Sequence, residues 1–378
     1  SRRGLLGGTP APHAPAEVEG LSLALVVDGH ALGVVLEDQT LTDDLLALGR
    51  LCASVLACRV SPRQKAEVVG MVRKGVRPEP ITLAIGDGAN DVAMIQSAHV
   101  GVGISGKEGR QAVNSADFAI AQFRFLQRLL LVHGRWNYVR MAKCVLYYYY
   151  KNVVLTLTLF VYNFRTAFSG TSLYESLMAA GYNVILFLPI IFVAVLDQDI
   201  SAETALAHPE LYVTGRANMF LNNAKVANTL VEGLLTGTLI VLIAGAGRQS
   251  FQDGGVYELG TVVFSWLILI MQWKVASLTS TWVWPTAAMW WVNTLGYFAF
   301  LAVYSVWYWL SPDFYGVGLE VLSDGTFWIL TVAVVGAAAV VDTALEHLRL
   351  QTRPTIADIY EEIDRGYGPA EGSTRGER

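Results

Sequence analysis

Charge is what this sequence has least of. Only 16% of its 378 residues are Asp, Glu, Lys or Arg, against about 25% in ordinary soluble chains, while 53% are hydrophobic. A wholly water-exposed fold is excluded by that balance. Cysteine is scarce as well: Cys52, Cys58 and Cys144 form neither a CxxC pair nor a metal-ligand spacing, which argues against a zinc site and a disulfide scaffold. A basic excess is missing too. With 27 Lys and Arg against 32 Asp and Glu, the formal charge is -5, and no nucleic-acid partner is expected.

The apolar residues are concentrated. Six stretches, at about 144–166, 177–196, 226–247, 259–279, 286–310 and 326–345, each approach the roughly 20 residues that a bilayer-spanning helix needs. Trp282, Trp284, Trp307, Tyr308 and Trp309 crowd their ends, as interfacial aromatics do. Arg124, Arg128, Arg135, Arg140 and Lys143 precede the first span, Arg216 and Lys225 separate the second from the third, and Arg349 and Arg353 follow the sixth. The opposite connections are poorer in Lys and Arg, so the positive-inside rule places the α/β part and the C-terminal tail on the cytosolic side. Lys274, in the fourth span, is expected to snorkel toward that face. The last four spans otherwise read as poor in polar groups, a support bundle.

Ahead of the spans, short apolar runs at Leu23–Val27, Ser54–Val60, Ile81–Ile85, Val100–Ile104 and Phe118–Ile120 alternate with helix-like stretches at 40–51, 62–74, 90–98 and 108–115. Runs without alternation imply strands covered on both faces, hence one parallel α/β sheet. Pro62 suits a helix start and Asn90 an N-cap. Residues 1–20, broken by Pro10, Pro12 and Pro15, read as a disordered lead-in, 124–143 as a stalk, and 349–378 as a disordered tail.

The chemistry is concentrated in Gly86-Asp87-Gly88-Ala89-Asn90-Asp91, directly after a strand. Open α/β sheets bind ligands at the carboxyl ends of their strands, and the following helix offers amides to an anion. Asp87 and Asp91 are hard-oxygen candidates for Mg²⁺, which is usually held by one or two carboxylates with phosphate oxygens. The plain alternative is a polar helix-capping turn. Upstream, Lys65 follows a strand end by about one helical turn and could meet a phosphoryl group. In the first span Lys151 and Asn152 lie at membrane depth, where an ionisable residue is a functional candidate; the alternative is that Lys151 snorkels. Asn183 and Pro189 in the second span are further candidates for a substrate path, Pro189 with a packing kink as its rival. The first two spans hold no Asp or Glu before Asp197, which speaks against cation cargo.

Three segments, CRVSPRQKAEVV from Cys58, LAIGDGANDVAMIQSAHVGVGISGKEGRQAVNSADFAIAQFRFL from Leu83 and YYYYKNVV from Tyr147, closely resemble type IV P-type ATPases, the phospholipid flippases. The resemblance runs from about Gly20 to about Leu348. It implies an α/β haloacid-dehalogenase-like (Rossmann-like) partial phosphorylation domain at 21–123, followed by an all-α six-helix transmembrane bundle at 144–348 that matches family helices five to ten. It further implies Asp87 as Mg²⁺ ligand, Asn90 fixing the phosphoryl group, Asp91 orienting the loop and Lys65 on the phosphoryl oxygens. ATP and Mg²⁺ would be the cofactors, a phospholipid the substrate, and a two-pass glycosylated accessory subunit a partner. The family's phosphorylated Asp-Lys-Thr-Gly-Thr segment is absent, since no Asp here precedes Lys. The chain alone is therefore expected to be inactive, and two rival readings remain: a truncated non-catalytic membrane protein, or part of a cation pump.

Overall fold

A computed structural model describes residues 23–106, 110–246 and 255–366. The expected lead-in at 1–20, the first two residues of the helix expected at 108–115 and the end of the tail lie outside the described residues. The chain divides into two compact units between Leu126 and Gln127.

The first unit runs β1 (Ala24–Asp28), α1 (Gly29–Glu37), α2 (Gln39–Leu51), β2 (Ser54–Cys58), α3 (Pro62–Gly75), β3 (Leu83–Gly86), α4 (Val92–Ser97), β4 (Val100–Ile104), α5 (Gln111–Asn114) and β5 (Phe118–Ile120). All pairings are parallel, as the unalternated runs require, but they form two sheets rather than one: β1–β2, and β3–β4–β5. Burial separates them. The three central residues of β4 are buried between helices, whereas all five of β2 are exposed, with Val55 and Leu56 about half open. Cover on both faces is thus achieved by β4 alone. The polar connections set the helix starts. Asp28 accepts from the Ala31 amide to open α1, a helix that the sequence reading omitted, and Ser61 and Gln64 close a capping box on α3 with Pro62 at its first turn.

The second unit is helical. The segment α6 (Phe125–Arg128), a π turn over Leu129–Gly134 and α7 (Arg135–Arg165) form one helix of 41 residues, so the stalk and first span are continuous. Then come α8 (Ser176–Leu196), α9 (Ala202–Ala207), α10 (Val213–Arg216), α11 (Asn223–Ala246), α12 (Val256–Leu278), α13 (Trp284–Ser305), α14 (Val317–Ser323), α15 (Gly325–Thr352) and α16 (Ile356–Asp364). Six helices among the described residues are long and apolar enough to cross a membrane, at the six predicted places. The central one is α12: 72% of its most apolar stretch is buried, against 17–28% for the others. Its Trp266 indole donates to Thr331 on α15, and Ser265 pairs with the Tyr297 hydroxyl on α13. The tightest pair is α7 with α11, where Gly233 and Gly237 face α7; a Cβ at Gly237 would stand 2.8 Å from Leu157 Cδ2. Such small-residue seams let membrane helices approach closely.

The tail departs from expectation. Thr355 and Asp358 make a capping box that starts α16, and Asp364 accepts from Ser201 and Thr204 on the α8–α9 connection and α9. Residues 353–366 are thus tied back by hydrogen bonds that acidic composition alone does not reveal.

Candidate functional site

The glycine-rich turn lies at the end of β3. There Asp91 folds back under the strand: Lys65 Nζ, one turn into α3, donates to Asp91 Oδ1 at 2.7 Å, and the Asp87 amide donates to Oδ2 at 3.2 Å. Gly86 makes room for this, since a Cβ there would stand 2.2 Å from Asp91 Cβ. Burial opposes ionisation of Asp91, but the hydrogen bond and charge of Lys65, with the Asp87 and Gly88 amides, outweigh it and hold the carboxyl below its ordinary range.

Two consequences follow for the neighbours. Asn90 is not an N-cap; it sits in a 3₁₀ turn, Ala89–Asp91, and α4 begins at Val92 with no side-chain cap, because the Asp91 carboxylate is already engaged. The Asp87 carboxylate and the Asn90 amide are exposed and make no hydrogen bond among the described residues. A single free carboxylate at a strand end fits a Mg²⁺ ion completed by phosphate oxygens and water. Asp91 already accepts one hydrogen bond on each oxygen, so a metal there would use its remaining lone pairs. No cluster of three or more His, Cys, Asp or Glu side chains able to hold a metal exists among the described residues.

The helical unit holds the second group of candidates. Lys151 is 1% exposed, so it does not snorkel. Its ammonium donates to Asn183 Oδ1 on α8 at 2.5 Å and to Asn152 Oδ1 at 3.4 Å, and lies over the Tyr148 and Tyr182 rings at 4.9 and 5.2 Å. Tyr182 in turn donates to the Lys151 carbonyl at 2.9 Å. Every partner is neutral. Asn152 itself is exposed and, with Tyr149, Thr156 and Phe160 of α7 and Leu234 of α11, lines an open groove of about 360 Å³. Pro189 is buried inside an uninterrupted α8, where proline chemistry leaves the Ile185 carbonyl without its helical donor.

Two charged clusters were not read from the sequence. At the start of α7, Arg135 grips Asp199 through both nitrogens at 2.8 and 2.7 Å, and Asp197 takes Lys143 at 2.6 Å plus the Ser280 and Thr281 amides at 2.8 and 2.9 Å. This ties α7 to the end of α8 and to the α12–α13 connection. The usable signal was opposite charges at adjoining span ends. The other cluster gives Lys274 two partners, its ammonium being bonded to Glu232 on α11 and Asp342 on α15. Spans read as poor in polar groups thus meet at a buried ion triad.

Residues 113–355 match the family model described as phospholipid-translocating P-type ATPase C-terminal. The chain is 39% identical over 340 residues to a probable phospholipid-transporting ATPase 5 of Arabidopsis thaliana, covering 86% of this chain and 26% of that protein. It is 36% identical over 358 residues to the phospholipid-transporting ATPase DRS2 of Saccharomyces cerevisiae, 91% of this chain and 26% of the relative. With a probable phospholipid-transporting ATPase IM of Homo sapiens the identity is 35% over 350 residues, 89% and 29%. The chain spans a little over a quarter of the length of these curated relatives.

Proposed function

Because the chain belongs to the phospholipid-translocating (type IV) P-type ATPases, we propose that it supplies the C-terminal part of an ATP-driven machine moving phospholipid from the exoplasmic to the cytosolic leaflet. In this reading the first unit is a haloacid-dehalogenase-like half-domain, cytosolic together with the C-terminus, and its two sheets are completed by strands outside these 378 residues. One of those strands carries the acceptor aspartate, and the chain alone neither accepts phosphate nor hydrolyses ATP. Asp87 would hold Mg²⁺, Asn90 and Lys65 would contact the phosphoryl group, and Asp91 positions Lys65. A bound Mg²⁺ neutralises phosphate charge during transfer; the chain's own part is to aim Lys65 and keep Asp87 free.

The observation that carries the lipid reading is the Lys151 ammonium, buried with amide and aromatic partners and no carboxylate. An uncompensated cation at membrane depth repels metal cargo and attracts the phosphate of a lipid headgroup. Asn183 positions that ammonium, and Asn152 places an amide on the adjoining groove. Replacing Lys151 by Met in the full-length protein should abolish lipid-stimulated ATP turnover while leaving phosphorylation by ATP intact. Unchanged lipid stimulation would remove Lys151 from the path. A two-pass glycosylated accessory subunit is proposed as partner on family grounds alone.

A further inference from the structure

The triad on α11, α12 and α15 has an arithmetic problem. One ammonium, Lys274, is bonded to two carboxyls, Glu232 and Asp342. The side chains are 13%, 21% and 14% exposed, on helices long and apolar enough to cross a bilayer. The other groups facing the cluster are neutral. Tyr150 of α7 lays its ring 5.1 Å from Lys274 Nζ and spends its hydroxyl on Thr236, and Ser277 bonds the Lys274 carbonyl. No second cation bonds either carboxyl among the described residues. Two ionised carboxylates would leave one net negative charge in a low-dielectric interior, and such a group neutralises rather than remaining charged.

We propose that Glu232 and Asp342 share one proton, so that the Lys274 junction is a proton-binding site within the membrane. The proton brings the cluster to zero net charge: one carboxylate balances the ammonium, and the other is a neutral acid that can donate as well as accept. Through Tyr150, the residue before Lys151, the site adjoins the helix that carries the candidate transport cation. The inference needs only that the helices span a bilayer, and stands apart from the lipid reading.

Infrared spectroscopy of the intact protein in lipid nanodiscs tests it. The carbonyl stretch of a protonated carboxyl, displaced in D₂O, should be present at neutral pH with the intensity of one group attributable to the triad. Glu232→Gln and Asp342→Asn should each abolish that contribution, because the remaining carboxylate then balances Lys274 unaided. Lys274→Met should double it, since neither carboxyl keeps a counterion. Should that last variant fail to fold, the two amide variants suffice. A wild-type difference spectrum against both amide variants with no such band, or a band lost in only one of them, overturns a shared proton.

Discussion

Lys65, Lys151 and Lys274 are one residue type in three electrostatic settings. Lys65, in the α/β unit and 31% exposed, meets one carboxylate. In the helical unit Lys151 meets none and Lys274 meets two. In water a one-to-one pair costs little to form and little to break. Inside a membrane the same mismatch of one charge has to be answered by something, and the two proposals answer it from opposite sides: an anion for Lys151, a proton beside Lys274. What distinguishes a binding residue from a structural one here is the deficit its neighbours leave, which no single residue type announces.

The sharpest way to break this contrast is to remove the doubly paired ammonium. Lys274→Met leaves two carboxyls facing each other and should cost about 3–5 kcal/mol, the range for breaking a buried ion pair, read as a lower thermal midpoint in detergent or nanodiscs. Next comes equalising the two buried lysines. Asn183→Asp gives Lys151 a carboxylate, and lipid-stimulated turnover of the full-length protein should fall at least about tenfold, some 1.4 kcal/mol in barrier, with thermal stability kept or raised. A variant that loses stability and activity together would instead make Lys151 a structural cation. A packing change should act on both buried lysines through α7. Gly237→Val pushes against Leu157 and should cost about 1–3 kcal/mol, measured by thermal unfolding.

The smallest effect belongs to the wet pair. Asp91→Asn should cost about 1 kcal/mol at neutral pH. Because the folded carboxyl lies below its ordinary value of 3.8, the Lys65–Asp91 contribution is whole above pH 3.8 and is lost as pH falls through the lower, folded value. Wild type should therefore lose this increment in acid while the variant, measured by denaturant unfolding of the α/β unit's signal, does not.

Much of this architecture was legible. Six apolar stretches sufficed to place the spans, because length and hydropathy are local properties. The Gly86–Asp91 turn declared itself by following a strand, and Lys65 by its distance from a strand end. Illegible parts depended on partners remote in the chain. Glu232 and Asp342 lie 42 and 68 residues from Lys274, too far for any helical spacing to pair them. Asn90 carried a good capping side chain, yet the neighbouring Asp91 had already been recruited across 26 residues by Lys65. The β1–β2 pair read as half of a covered sheet because apolar composition reports what a strand wants against it, and Val55 and Leu56 remain without it among the described residues.

The contacts of Asp364 have a practical side. Its carboxylate collects three hydrogen bonds, from the Ser201 amide and hydroxyl and the Thr204 hydroxyl, more than 150 positions earlier. The polypeptide is thereby buckled shut near its own terminus. Shortening the protein ahead of Ile356 would unfasten α9 from its acceptor, whereas trimming past Gly366 leaves the buckle closed, so a fluorophore or purification handle belongs on that outer side.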